Sequence, residues 1–174
     1  MANNNNDLWS KYQSRIAGGW QLMSYDLYDA TENNILARPH GDQPLGRVLI
    51  SSNGWLAAHI ANPTRFGPLP SGKPWQTGDD AEVAHVARGI SMYCGYLQLF
   101  EDEDGLYWET TVEISSDPNR KGGKEVRRVQ LEERNGKGSM TLRPVKDMVM
   151  EVRSGRSSTE MLCILLCSAM LTLK

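Results

Sequence analysis

The chain is short of the residues that staple, steer or anchor a protein. Its 174 residues include three cysteines, Cys94, Cys163 and Cys167, too few and too clustered for a disulfide framework, and an odd count leaves one thiol over in any pairing. That usage fits a reducing, cytoplasmic setting. Lys and Arg total 19 against 21 Asp and Glu, a formal net charge of −2, so there is no electrostatic footprint for nucleic acid or an anionic membrane. The apolar stretch at residues 161–171 is about half the length a membrane-crossing helix needs. It reads as a closing strand, as a buried helix, or as an adhesive tail through which a homodimer could form. The N-terminus, Met1-Ala2 and four asparagines, has neither the positive charge nor the apolar stretch of a secretion signal, and is expected to be a disordered lead.

Chemical motifs are scarce as well. His40, His59 and His85 are scattered, and Cys163 and Cys167 lack partner ligands at zinc-site spacing. There is neither a glycine-rich phosphate loop nor a Gly-x-Ser-x-Gly elbow. No metal, cofactor or covalent nucleophile is indicated.

What is present is a succession of strand-length segments. Asn6 or Asp7 can cap a short helix in which Leu8, Tyr12 and Ile16 make one apolar stripe able to plug a barrel end. Gly18-Gly19 ends it, and Trp20 opens a strand running to Tyr28 and packs at the closed end. Strands over 46–51 and 55–61 flank Ser52-Asn53-Gly54, where Asn-Gly suits a tight hairpin. Residues 62–78 then carry four prolines and three glycines, as lids and rims often do. Asp79 and Glu82 have capping-box spacing, and Val83, Val86 and Ile90 predict a helix over 80–92. Further strands are expected over 94–100, 106–114, 124–132, 139–143, 148–152 and 162–173, with turns at the acidic run 101–105, at 117–123 and at Asn135-Gly136.

The fold expected is mainly β, a single closed antiparallel barrel of about eight to ten strands, with a lead and helix over 1–17 and the barrel over 18–174. A domain of this size buries about 70% of the surface of its unfolded chain without a staple, and about eight strands leave room for one small ligand.

Gly18-Gly19-Trp20 matches a Gly-x-Trp opening. Later come Leu45-Gly46, Ser52-Asn53-Gly54, Asn62-Pro63-Thr64-Arg65, Tyr93-Cys94-Gly95-Tyr96, Ser115-Ser116-Asp117-Pro118-Asn119, Gly122-Gly123 and Arg127-Arg128. In this order the chain resembles the lipocalin-like families of bacterial and fungal small proteins, within the calycin group of ligand-binding barrels, over roughly residues 18–143. Many relatives place a histidine where this chain has Thr110, so a His-based mechanism is not carried over to that position. The resemblance implies a barrel that holds a small apolar molecule. It also implies that some members, in microbial natural-product pathways, act as cofactor-free cyclases, isomerases or dehydratases, while others only bind.

Strand alternation nominates residues for the interior. Trp108 and Thr110 share a face with Leu106, Val112 and Ile114, as a flat wall and a hydroxyl or as ordinary core. Arg127 shares a face with Val129 and Leu131. It could bind a carboxylate or stabilise an enolate or phenolate, or be held by Glu109, Glu125 or another local acid. His59, on a face with Trp55 and Ala57, is the leading general-base candidate, with a structural or solvent-facing role as the alternative. Tyr93 and Tyr96 could donate to a carbonyl or pack at the rim. His59, Tyr93 and Arg127 are thus the catalytic candidates, and Trp55, Tyr96, Trp108 and Thr110 the substrate-binding ones. The function expected is cofactor-independent cyclisation, isomerisation or dehydration of an apolar, oxygenated polyketide- or terpenoid-like molecule, with a non-catalytic carrier as the alternative.

Overall fold

The computed structural model describes residues 7–29, 34–134, 137–145, 148–151 and 162–173. Helix α1 (Trp9–Ile16) leads into strand β1 (Gly18–Tyr28), followed by β2 (Ile35–Ala37), β3 (Leu45–Ile50), β4 (Trp55–Ala61) and helix α2 (Asp80–Ala87). Then come β5 (Ile90–Asp102), β6 (Gly105–Ser115), β7 (Lys124–Arg134), β8 (Lys137–Pro144), β9 (Met148–Glu151) and β10 (Leu162–Leu173). All the pairings are antiparallel, in the order β1-β3-β4-β5-β6-β7-β8-β10. β10 pairs in turn with β1, from Trp20↔Leu173 to Tyr28↔Leu166, which returns the ladder to its start as an eight-membered ring. β2 and β9 are short additions to β1 and β10. The apolar stretch near the C-terminus is therefore the closing strand.

One end of the ring is plugged. Asp7 accepts hydrogen bonds from the backbone of Trp9 (3.0 Å) and Leu99 (2.9 Å), which ties the start of α1 to β5; the helix is capped at Leu8 without a side-chain bond, so Asp7 does not cap it as expected. Ile16 is fully buried, and its carbonyl accepts from the Trp20 indole at 2.8 Å. Around this pair gather Ile50, Leu56, Leu97, Leu99, Trp108 and Met140, all 4% exposed or less. The side chains alternate as a pleated wall requires: Leu56 and Ala58 in, Trp108, Thr110 and Val112 in, Val129 in.

The second helix is shorter than the spacing predicts. It stops at Ala87, and Gly89 lets the chain turn so that Ile90, Ser91 and Met92 pair with Ala61, Ile60 and His59. Sheet pairing outweighs the helical pattern there. The capping box does not form either: Asp79 takes the Lys73 ammonium at 2.7 Å, and Glu82 accepts from the Ser71 backbone and hydroxyl at 3.0 and 2.6 Å. Both acids serve to pin the proline-rich segment 62–78 to the helix. β2 was not expected from its sequence, and the turn at Asn135-Gly136 lies outside the described residues.

At Gly95 the strands approach too closely for a side chain. β6 carries an extra residue opposite the Cys94/Gly95 step, and a Cβ on Gly95 would sit 1.9 Å from the Thr111 carbonyl oxygen. Because the obstacle is backbone, it cannot turn aside. Gly95→Ala is expected to lower stability by about 3 kcal/mol, seen in urea unfolding as a lower midpoint at unchanged slope. Gly19→Ala, which meets nothing within 4 Å, is the near-neutral control.

Candidate functional site

The barrel interior has an apolar core around α1 and a polar strip on the wall made by β6 and β7, which starts beside that core at Trp108. At the open end lie the end of β4, the start of β5, the end of β6 and the start of β7. Alternation along β7 turns Glu125 and Arg127 to the same side as buried Val129, and their partners across the ladder are Thr110 and Trp108, both fully buried. These four residues form a patch two by two on the inner wall.

The patch carries charge. The Glu125 carboxylate is held at one oxygen by Arg120 Nε (2.8 Å) and at the other by Arg127 Nη2 (2.7 Å), with all three side chains between 17 and 26% exposed. Arg127 also donates to the Val126 carbonyl at 2.9 Å. Arg120 comes from the short turn Pro118–Arg120, shaped by the Asp117 carboxylate accepting from Asn119 N at 3.0 Å. Its guanidinium lies over the Tyr93 ring at 4.6 Å, a cation–π contact. Two guanidinium groups thus share one carboxylate. Beside it, the Trp108 indole nitrogen and the Thr110 hydroxyl are buried and find no hydrogen-bond partner among the described residues. Buried polar groups are nearly always paired, and an unpaired one costs about 1–3 kcal/mol. The two groups stand at i and i+2 on one inner face.

Of the residues nominated from the sequence, Tyr93, Trp108, Thr110 and Arg127 share this interior. His59, Trp55 and Tyr96 do not. Leu56, Ala58 and Ile60 point inward on β4, which turns Trp55, Ala57 and His59 to the outer wall. There His59 is exposed between Arg47 and Met92, and Trp55 meets Tyr96 edge-on at 4.9 Å. For Arg127 the local acid is Glu125, while Glu109 faces outward to Lys124.

Sequence reasoning missed Glu125 and Arg120 as members of the site, and it did not anticipate that His40 is buried. The segment carrying His40 is tied down from several sides. Arg38 Nε binds the buried Asp26 of β1 at 2.8 Å and its Nη1 binds Asp42 at 2.7 Å, while Asn62 donates to the Pro39 carbonyl at 3.2 Å. Gly41, at φ +79°, closes the turn onto the Arg38 carbonyl, a conformation suited to glycine. Thus held, His40 is 5% exposed and meets the Tyr25 ring edge-on at 4.9 Å.

A family model described as a lipocalin-like domain matches residues 17–167. The chain belongs to that family. No curated protein and no solved structure matches it. For a lipocalin-like domain the division of this interior is informative: the plugged half supplies the packed core, and the open half is a cup suited to a small ligand. Among the described residues no helix is long and apolar enough to cross a membrane, and no three His, Cys, Asp or Glu side chains gather as metal ligands.

Burial lowers the pKa of His40 from its usual 6.5, with a backbone hydrogen bond to Gly89 acting in the opposite, smaller sense. The folded protein therefore holds His40 neutral where the unfolded chain already binds a proton. Stability is expected to fall as pH drops below about 6.5 toward the lowered folded value. His40→Gln should flatten that part of a urea-unfolding series run between about pH 8 and pH 5.

Proposed function

We propose that this lipocalin-like barrel is a cofactor-independent enzyme acting on an apolar, oxygenated small molecule, by isomerisation, cyclisation or loss of water. The observation that carries this reading is the inner-wall patch. A carrier of apolar molecules gains nothing from a carboxylate held between two arginines inside its cup, whereas developing negative charge on a substrate oxygen is stabilised by fixed donors in a water-poor site. In this reading Trp108 Nε1 and Thr110 Oγ1 donate to a ligand carbonyl, and Arg127, positioned by Glu125, faces the charge that grows there. Tyr93, under the Arg120 guanidinium, borders the same space. The apolar plug behind them holds the carbon skeleton in one shape, which contributes through orientation and exclusion of water.

The alternative is a binder that uses the same donors to hold its ligand unchanged. Conversion decides between them. The purified protein, incubated with an organic extract of the source cells and followed by mass spectrometry, is expected to deplete one apolar component and release a product of equal mass or lighter by one water. Arg127→Leu is expected to slow that conversion by about 10²–10³-fold, in the manner of a lost oxyanion donor. Retention of a component by the protein with no product formed would identify the carrier.

A further inference from the structure

An antiparallel wall with solvent on its outer side is expected to alternate, apolar inward and polar outward. One stretch of this barrel does not. Pairing across neighbouring strands aligns Gly19 of β1 with Leu49 of β3, Leu49 with Ala57 of β4, Ala57 with Cys94 of β5, and Cys94 with Ile114 of β6. Directly paired residues share a face, and Leu49 and Ile114 are 58% and 68% exposed, so the row lies on the outer wall. It crosses five of the eight strands of the ring without one charged, hydroxyl or amide side chain. Exposed Met92 continues it toward the open end, and Tyr96, edge-on to Trp55 at 4.9 Å, continues it toward α1. Single exposed apolar residues are ordinary on a protein surface, whereas a contiguous set marks a contact surface.

Shape and charge both bear on what the row meets. A barrel wall is convex, so its flanks fall away from a partner. Here the middle positions are small, Ala57 and Cys94, and the flanking ones large, Leu49 and Ile114, a profile with which two convex walls can touch along their crests and still fill the gaps beside them. The flanks also carry opposite charges. Arg47, two residues from Leu49 on β3, is exposed and spends one guanidinium nitrogen on the Gly46 carbonyl at 2.9 Å. Glu113 precedes Ile114 on β6 and is exposed at the bulge opposite Cys94/Gly95. Neither has an ion-pair partner among the described residues. A two-fold axis along the strands between β4 and β5 exchanges β4 with β5 and β3 with β6. It sets Ala57 against Cys94 and turns the Arg47 flank of each copy toward the Glu113 flank of the other. An anionic membrane, with charge of one sign, would attract one flank and repel the other.

We infer that this outer row is an isologous interface through which two copies of the chain associate, with Ala57, Cys94, Leu49 and Ile114 at its centre and the Arg47 and Glu113 flanks attracting each other at its two edges. The face measures about 20 Å in each direction once side chains are counted, or about 400 Å² per copy. That is about half of a standard interface, so the dimer forms in the micromolar range and is not permanent. Because the row lies on the side of the barrel, the open end of each copy stays clear.

Sedimentation velocity of the full chain between about 5 and about 500 μM tests this. The mass is expected to rise with concentration from the 19.5 kDa of one chain toward twice that value. Ile114→Lys is expected to remain a monomer throughout, with its urea midpoint unchanged because the side chain it replaces is exposed. Arg47→Glu and Glu113→Arg each place like charges at both edges of their own dimer, and each is expected to weaken association about tenfold. An equimolar mixture of these two variants is expected to regain the wild-type strength, since a dimer with one copy of each has opposite charges at both edges. A wild-type chain that stays monomeric at the highest concentration, an Ile114→Lys chain that still dimerises, or a mixture no stronger than either variant alone would overturn the inference. Flotation of monomeric wild type, but not of Ile114→Lys, with phosphatidylcholine vesicles would overturn it as well and assign the row to a lipid surface. None of these outcomes touches the reading of the interior.

Discussion

The interior of this protein exists because β1 is paired along both of its edges. Gly18–Gln21 meet β3, and residues 20–28 meet β10, so the ladder has no free end through which the sheet could flatten and squeeze out its contents. Closure has a second effect. Once every strand is flanked on both sides, a change of pleat phase in one strand must be absorbed by a bulge, as between Leu22 and Ser24 or at Cys94/Gly95. Which side chains face inward is thereby a property of the whole ring.

Within that enclosure an apolar core and a set of polar groups share the space. The α1 end has two fully enclosed tryptophans and a run of branched side chains, and the indole of Trp20 is satisfied locally by the Ile16 carbonyl. The interior also carries what a stable core avoids: an Arg–Glu–Arg cluster, and buried polar atoms on Trp108, Thr110 and His40 that have no partner among the described residues. A buried ion cluster is often no more stabilising than apolar residues of the same volume, and each unpaired group subtracts further. The Glu125 cluster and the Trp108–Thr110 pair, adjacent across the β6–β7 ladder, are costly to stability in a way that a plain wall does not require.

Much of the fold was legible because its signals are local. Gly18-Gly19-Trp20 separates plug from barrel, Asn53-Gly54 makes a hairpin, and the inward set Leu106, Trp108, Thr110 and Val112 follows from alternation alone. Alternation gave a false lead in β4 because both faces there are apolar. Trp55 and Ala57 on one side look as internal as Leu56, Ala58 and Ile60 on the other, so the face of His59 was set by packing and not by pattern. His40 and Arg120 lie on irregular segments with no period to read, and their places depend on Arg38–Asp26 and on the turn at Asp117. Glu125 was visible only as a neighbour of Arg127. That it is shared by two arginines is a tertiary fact, since Arg120 reaches it from a turn preceding the strand.

The rim of the cup is held more loosely than its walls. Segment 62–78 is joined to α2 through Lys73–Asp79 and Ser71–Glu82, all of them exposed contacts, and exposed ion pairs contribute between about 0 and 1 kcal/mol each and weaken with salt. The walls below consist of continuous ladders whose opening breaks many backbone hydrogen bonds at once. Passage of a ligand is therefore cheapest between the proline-rich segment and the mouth, the side on which His40 stands.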